Sequence, residues 1–282
     1  MTVRIVKTED GSLTFFSEKF KEPYHSVTAG AFREAVEKFC VPAKVSEKVK
    51  DRGRFNLFDF CFGLSYNTVA FLDTVFRENP EARVRIVGVE RDIRVIENSL
   101  KIPWHRFEKW KWVLREILKN RKVEGGFLTL NCFIPQVSVK VFVGEARDFL
   151  KRFAQRYIEF ADAIFHDPFS PKVNPELWTY EVFLLERKIC KEDGILVTYS
   201  TSSAVRRALM MAGFGVRNGV VLGRKTPSTV ASPLFETEEK IKRKKAVPYR
   251  DPDLRDSPDL IKNRKKGCEY LIGKQAVFEC LF

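Results

Sequence analysis

The sequence predicts an α/β fold built on an open, mostly parallel sheet with helices on both faces. Three observations predict it. Compact apolar runs recur along the chain, among them Phe55–Cys61, Arg83–Val89, Val137–Val143 and Ala161–His166. Most are followed by a stretch in which apolar residues return at three- and four-residue spacing, and this alternation of strand and helix implies a parallel sheet. The composition is that of a globular protein: of 282 residues, 44% are hydrophobic and 31% charged. That is enough chain for one large domain, or one domain with an appendage.

Each element follows from its local pattern. Val3–Val6 and Leu13–Phe16 can pair as a hairpin across Glu9-Asp10-Gly11. Ala31, Ala35, Val36 and Phe39 give a helical pattern over residues 31–50. Phe55–Cys61 reads as a buried strand, then Tyr66–Arg77 as a helix in which Asp73 is out of pattern. Arg83–Val89 is the next strand. Residues 93–137 break the rhythm, carry three of the four tryptophans and read as a helical insertion. The alternation resumes with strand Val137–Val143, rich in β-branched residues, helix Ala146–Arg156 and strand Ala161–His166. A helix over Pro175–Cys190 is expected, capped by Asn174 with Pro175 at its first position. Strand Gly194–Ser200, helix Ser202–Met211 and strand Phe214–Leu222 complete the core. Residues 237–266 are polar, with the runs Lys240–Lys245 and Lys262–Lys266, and read as an exposed segment. Ala276–Phe282 reads as a strand. The organisation expected is an N-terminal extension (1–50), a core (51–235) and a basic C-terminal segment (236–282).

Composition excludes several classes. No apolar stretch approaches the roughly 18 residues that span a bilayer, and the N-terminus lacks the apolar stretch of a signal peptide. A cytoplasmic protein with no membrane partner is expected. Lys plus Arg is 50 against 37 acids, a net charge of +13, which favours a polyanion such as nucleic acid as partner. None of the six cysteines is spaced as Cys-x-x-Cys, so no metal site is expected.

In an open parallel sheet, ligands bind beyond the carboxyl ends of the strands. The first strand ends in Asp59-Phe60-Cys61-Phe62-Gly63-Leu64-Ser65-Tyr66-Asn67, which matches neither the dinucleotide fingerprint nor a P-loop. A ligand without phosphates fits better. The second strand ends at Glu90, 27 residues beyond Gly63, where an acid can accept from ribose hydroxyls. The third ends at Gly144-Glu145-Ala146, where an acid can take the amino group of adenine. One nucleoside without phosphates points to S-adenosylmethionine. The fourth strand ends in Asp167-Pro168-Phe169-Ser170-Pro171, a stiff turn that can offer a carboxylate and a carbonyl to an amine. No Gly-x-Ser-x-Gly is present, which disfavours a hydrolase.

Ala161–Phe183, ADAIFHDPFSPKVNPELWTYEVF, resembles the signature of the methyltransferase domain of the MnmC-type tRNA-modification enzymes. Asp162, Ala163, Asp167, Phe169, Pro171, Asn174, Pro175, Trp178 and Thr179 carry the match. Phe58–Asn67 is similar to the family's first loop. Pro23-Tyr24-His25-Ser26, with Gly30-Ala31 and Glu34, resembles the N-terminal element that lines its cofactor pocket. Thr198–Arg207, Ala212-Gly213-Phe214 and Gly223-Arg224-Lys225 extend the resemblance to about residues 10–230. Cys61 and Ser65 stand where two glycines are usual, so the loop is expected to approach the methionine moiety less closely. Pro168 replaces a glycine, and Glu145 an aspartate.

The resemblance implies a class I methyltransferase, with a seven-stranded, mostly parallel sheet, an N-terminal extension and basic insertions. It implies S-adenosylmethionine as cofactor, with no FAD, because the flavin oxidase domain of the long relatives has no counterpart here. The implied reaction is methylation of the exocyclic amine of 5-aminomethyl-uridine (or its 2-thio form) at the wobble position of a tRNA anticodon. A separate enzyme would supply that amine. Tyr24, His25, Asp59, Phe62, Gly63 and Asn67 are expected on the cofactor, with Glu90, Glu145, Ala146 and Asp167. Asp167 is the expected catalytic residue. Phe169, Lys172, Trp178, Arg206 and Arg207 are expected to bind the tRNA substrate, Phe169 and Trp178 by shaping the base pocket, and core burial is an equal reading of Trp178. Two basic segments, residues 104–122 and 223–282, are expected to flank the active edge. The alternatives are an aminopropyltransferase of the spermidine-synthase kind and a non-catalytic RNA-binding module.

Overall fold

The computed structural model describes residues 4–256 and residue 260. An N-terminal sheet comes first: β1 (Arg4–Lys7) and β2 (Leu13–Ser17) pair antiparallel across the expected hairpin, and β3 (Glu22–Pro23) adds to β2. Helix α1 (Ala31–Arg33) runs on as a π-helical turn over Glu34–Cys40 before α2 (Val45–Arg52). The core then alternates: β4 (Arg54–Phe60), α3 (Tyr66–Glu78), β5 (Arg83–Glu90), α4 (Ile93–Ser99), α5 (Lys111–Lys119), β6 (Arg121–Glu124), β7 (Phe127–Phe133), β8 (Val137–Val143), α6 (Ala146–Phe153), β9 (Ala161–His166), α7 (Tyr180–Ile189), β10 (Cys190–Thr198), α8 (Ser203–Met211), β11 (Gly215–Asn218) and β12 (Thr229–Ser232).

The main sheet has nine strands in the order β11-β12-β10-β9-β4-β5-β8-β7-β6. The five central strands are parallel. The chain lays β5 and β8 to one side of β4, then returns to lay β9 and β10 on the other. The order therefore reverses beside β4, and there a crevice opens at the carboxyl ends. Alternation along β4 sends Phe55 and Leu57 into one buried cluster and Phe58 and Phe60 into another, on the opposite face. Both faces are thus covered, as parallel sheets require.

Nine strands replace the seven expected because the insertion is helical only in its first part. Residues 121–133 form the hairpin β6–β7, which extends the sheet beyond β8. Its two-residue turn is Gly125-Gly126, at φ of 54° and 80°. Positive φ at both central residues is what a tight hairpin of the right twist needs. The out-of-pattern Asp73 has a partner in the same insertion: it accepts from Trp110 Nε1 at 3.2 Å and pairs with Lys109 Nζ at 2.9 Å.

Three further expectations change. Asn174 does not cap the helix after β9. Pro175–Leu177 forms a separate single 3-10 turn, and Thr179 Oγ1 accepts from Val182 N to start α7. β12, which is wholly buried, has no counterpart in the sequence reading. The C-terminal segment is not simply exposed: Ile241, Tyr249, Asp251 and Leu254 are buried. Tyr249 O accepts from Tyr180 N, and Asp251 Oδ2 meets the buried Arg147 at 3.0 Å. The Lys262–Lys266 run and the strand expected over Ala276–Phe282 lie outside the described residues. Among the described residues, no helix is long and apolar enough to cross a membrane.

Candidate active site

A cavity of about 600 Å³ opens over the carboxyl ends of β4, β5, β8, β9 and β10, roofed by residues of the 17–26 stretch. Its size is that of an ordinary small-molecule site.

The first wall is the loop after β4. Cys61, Gly63 and Ser65 all take left-handed backbone, at φ of 69°, 53° and 70°. The loop keeps a glycine-like course although two of its three left-handed residues carry side chains, at about 1–2 kcal/mol of strain each. Gly63 N donates to Glu90 Oε2 at 2.8 Å, and Asp92 N to Glu90 Oε1 at 2.9 Å. Two N–H donors thus orient Glu90, while burial raises its pKa. Each oxygen keeps a second lone pair for a hydroxyl. Gly88, on β5, makes room for the Phe62 ring: a Cβ there would lie 2.7 Å from Phe62 Cδ2.

The second wall is the turn after β9. Asp167 N donates to Phe60 O, and Asn67 Nδ2 donates to Asp167 Oδ2 at 2.8 Å. Among the described residues no hydrogen bond ties the other oxygen, Oδ1, which is the one available for chemistry. Burial holds the Asp167 carboxyl well above the usual carboxylate range, and the Glu34 carboxylate pushes the same way. The rest of the turn is clamped by side chains. Tyr199 OH donates to Pro168 O at 2.9 Å, and Trp178 Nε1 to Phe169 O at 2.8 Å. Ser170 donates to Glu22 through N and Oγ. The carbonyls of residues 168 and 169 thus each accept from one side chain. Phe169 stacks on Phe20 with centroids 4.4 Å apart and meets Tyr24 edge-on.

Beneath both walls, Glu34 accepts from Lys38 Nζ at 2.7 Å and from Ser26 N at 2.9 Å. Burial lowers the His25 imidazole to about 4 against the pull of Glu34, so the ring is neutral at neutral pH.

The structure brings Tyr24, His25, Phe62, Gly63, Asn67 and Glu90 to the cavity, together with Glu145, Ala146, Asp167 and Phe169. Five expected residues are elsewhere. Asp59 is fully buried under α3, where it accepts from Thr68 Oγ1 at 2.6 Å, and burial raises its carboxyl to about 7. Trp178 is enclosed in the core and acts on the turn only through its indole N–H. Arg206 is buried and donates to Thr229 Oγ1 and to the carbonyls of Pro227 and Ser228. Lys172 and Arg207 are exposed and off the cavity wall. The sequence reading also left Phe20, Glu22, Glu34, Glu176, Tyr199 and Arg224 out of the site, and all six line it. Glu34, Glu176, Tyr199 and Arg224 stood inside quoted motifs and were the four within reach. Of the two basic segments, 223–282 reaches the wall through Arg224, whereas no residue of 104–122 does.

The cavity is acidic within a basic chain. Seven acids line it against four cations, although the whole chain carries +13. Such a lining favours a cationic ligand and disfavours phosphates. His25 Nδ1, Asn67 Oδ1 and Glu176 Oε2 are buried polar atoms without a hydrogen-bond partner, and all three residues are on the wall. Buried groups of this kind call for a polar ligand. A sulfonium-bearing nucleoside, cationic and free of phosphate, fits the charge and the open atoms.

Residues 107–233 match the family described as S-adenosyl-L-methionine-dependent methyltransferase. An uncharacterised protein of Methanocaldococcus jannaschii is 30% identical over 278 residues, covering 95% of this chain and 73% of that one. The tRNA 5-methylaminomethyl-2-thiouridine biosynthesis bifunctional protein MnmC of Azoarcus sp. is 29% identical over 219 residues, covering 77% of this chain. The chain spans about a third (33%) of that relative's length. The crystal structure of MnmC2 from Aquifex aeolicus superposes with a TM-score of 0.75 at 35% identity, covering 96% of this chain and 84% of that one.

Proposed function

We propose, for a chain that belongs to the MnmC2-type family of S-adenosyl-L-methionine-dependent methyltransferases, that it methylates the exocyclic amine of 5-aminomethyl-uridine, or its 2-thio form, at the wobble position of tRNA. The names of its relatives support the substrate class. The observation that carries the reading is the acidic cavity in a +13 chain: a cationic cofactor and an ammonium acceptor suit the inside, and a polyanion suits the outside.

When bound, S-adenosylmethionine supplies an electrophilic methyl group. Glu90 would hold the ribose hydroxyls, and the first loop would pass beside the methionine portion. His25, neutral and buried, offers Nδ1 as an open polar atom to the ligand. Asp167 Oδ1 takes the proton of the acceptor's ammonium, which leaves the nitrogen lone pair free. The raised pKa of Asp167 suits this: a carboxyl lifted above the ordinary carboxylate range by burial is a stronger proton acceptor than an ordinary one. Asn67 holds the other oxygen, so the accepting oxygen has a fixed aim. Phe20 and Phe169 form a stacked pair on which a pyrimidine edge can rest. Beyond this, positioning and a preorganised field supply the rate.

The net charge of +13 does not argue against the aminopropyltransferase alternative, since the cavity itself is acidic. The family separates the two readings instead. The test is nucleoside analysis by mass spectrometry of tRNA from a host lacking this gene. The reading expects the aminomethyl nucleoside to accumulate and its methylated product to disappear; an unchanged nucleoside profile would refute it.

A further inference from the structure

Glu176 lies in the short turn Pro175–Leu177 between β9 and α7 and is 3% exposed, yet it lines the cavity. Its Oε1 accepts from Asn174 Nδ2 at 2.6 Å. Its Oε2 is buried and has no hydrogen-bond partner among the described residues. Burial pushes its carboxyl up to about 7, Arg147 acts against that, and Glu145 acts with it. Nothing derived above gives this open oxygen a task. A buried acceptor left without a donor is costly, so native structures seldom keep one without a reason.

The end of the cavity is set by its neighbours. Arg147 Nε donates to Glu145 Oε1 at 3.3 Å, and Arg147 is also the cation acting on Glu176. The two carboxylates therefore share one region, beyond the end of β8, where the adenine is expected. Glu145, the acid expected to read the adenine amine, is held by its Oε1, which caps α6 by accepting from Arg147 N at 3.2 Å. Its Oε2 faces Arg91 Nη1 at 3.9 Å, and the side chain is 27% exposed, so water can satisfy it. The acid whose spare oxygen is buried and without a donor is Glu176.

We propose that Glu176 accepts the 6-amino group of the cofactor's adenine, and so selects a 6-amino over a 6-oxo purine. This rests on the cofactor assignment. An exocyclic amine brings two N–H donors, whereas a 6-oxo group would set an oxygen against the carboxylate. A site built to hydrogen-bond an N–H rejects the analogue lacking it by a large factor.

The test compares binding of S-adenosylhomocysteine and S-inosylhomocysteine to the full chain by calorimetry at about pH 8, where the Glu176 carboxyl, raised to about 7, is mostly ionised and can only accept. The wild type is expected to prefer the adenosyl compound by about a hundredfold or more. In Glu176→Gln, Asn174 Nδ2 holds the amide oxygen and the amide N–H₂ faces the ligand. The preference is then expected to collapse to less than about tenfold or to reverse, because the amide now donates. Glu145→Gln is expected to keep the wild-type preference, even where affinity falls. If Glu176→Gln does not fold, Glu176→Asp serves. Its shorter acid is expected to keep the adenosyl preference with weaker binding, and an inosyl preference there would contradict the proposal. A Glu176→Gln preference equal to that of the wild type overturns the proposal while leaving the cofactor in place. A wild type that binds neither compound overturns the cofactor assignment and the proposal together.

Discussion

The two turns that face each other across the cavity are built in opposite ways. The loop after β4 is held by backbone: three left-handed residues within five, and a glycine N–H aimed at Glu90. The turn after β9 is held by side chains from distant segments: Asn67 on α3, Tyr199 after β10, Trp178 before α7 and Glu22 on β3. A backbone-held loop tolerates changes of side chain that keep its φ angles. A turn clamped by side chains keeps its course only while its clamps remain. Cys61 and Ser65 therefore hold left-handed backbone without being glycine, whereas the second turn depends on residues that its own sequence does not contain.

Four substitutions can break or sharpen this comparison. The largest effect is expected at Asp167, where chemistry and clamp coincide. Asp167→Ala is expected to lower kcat by about a hundredfold or more, the usual worth of a positioned general base, while S-adenosylhomocysteine affinity stays within a few-fold. The sign of the pH dependence follows from the raised pKa. Below it the carboxyl is protonated and accepts nothing, so kcat climbs as pH rises through a value above the ordinary carboxylate range and then levels. A variant with wild-type turnover would make Asp167 a turn residue only.

Glu90→Ala comes next. Losing a charged acceptor for hydroxyls is worth about 1.5–3 kcal/mol, so S-adenosylhomocysteine affinity should fall more than tenfold, read by calorimetry. Because Gly63 N and Asp92 N lose their acceptor too, loss of affinity should come with some loss of stability. Equal affinity in a folded variant would remove Glu90 from the site.

Trp178→Phe isolates one clamp. It keeps most of the ring packing against His166 and Tyr199 but leaves Phe169 O without its donor. The expected loss is about 1–3 kcal/mol of stability, seen in denaturant unfolding, with KM for tRNA rising more than the cofactor's Kd. If KM and Kd move together, the clamp does not act on the acceptor side alone.

Cys61→Gly is the smallest. It removes left-handed strain of about 1–2 kcal/mol, offset in part by the freedom glycine adds to the unfolded chain. Stability should rise by up to about 1 kcal/mol, and cofactor affinity should stay the same. A destabilised variant would mean that the Cys61 side chain, not the loop's backbone, holds this wall.

The legible part of the site was the part set by topology. Glu90, Glu145 and Asp167 were read from strand ends, because a parallel sheet delivers its carboxyl ends to one edge wherever the side chains later settle. The hairpin β6–β7 was missed although Gly125-Gly126 announces it; the surrounding basic residues and tryptophans had been read as helix. Trp178, Arg206, Lys172 and Arg207 lie off the cavity wall for another reason. An aromatic or basic residue near an active edge can be core, strut or surface, and its burial depends on contacts far away in sequence, as Arg206 shows by binding the 227–229 segment. Glu22 and Phe20 reach the cavity only because the N-terminal sheet folds over it, which no local pattern reveals. Net charge misled in the same way: +13 describes the whole chain and says nothing of a cavity lined by seven acids.

The central claim is that the turn at Asp167 presents an amine, on tRNA, to a methyl donor. Its most direct test is a single-turnover assay with the purified full chain, radiolabelled S-adenosylmethionine and three tRNA preparations. These carry 5-aminomethyl-2-thiouridine, the carboxymethylated amine, or unmodified uridine at the wobble position. Label should enter the first tRNA and neither of the others, and should be lost with Asp167→Ala. Label in the unmodified tRNA, or in none of the three while the chain still binds S-adenosylhomocysteine, would contradict the account.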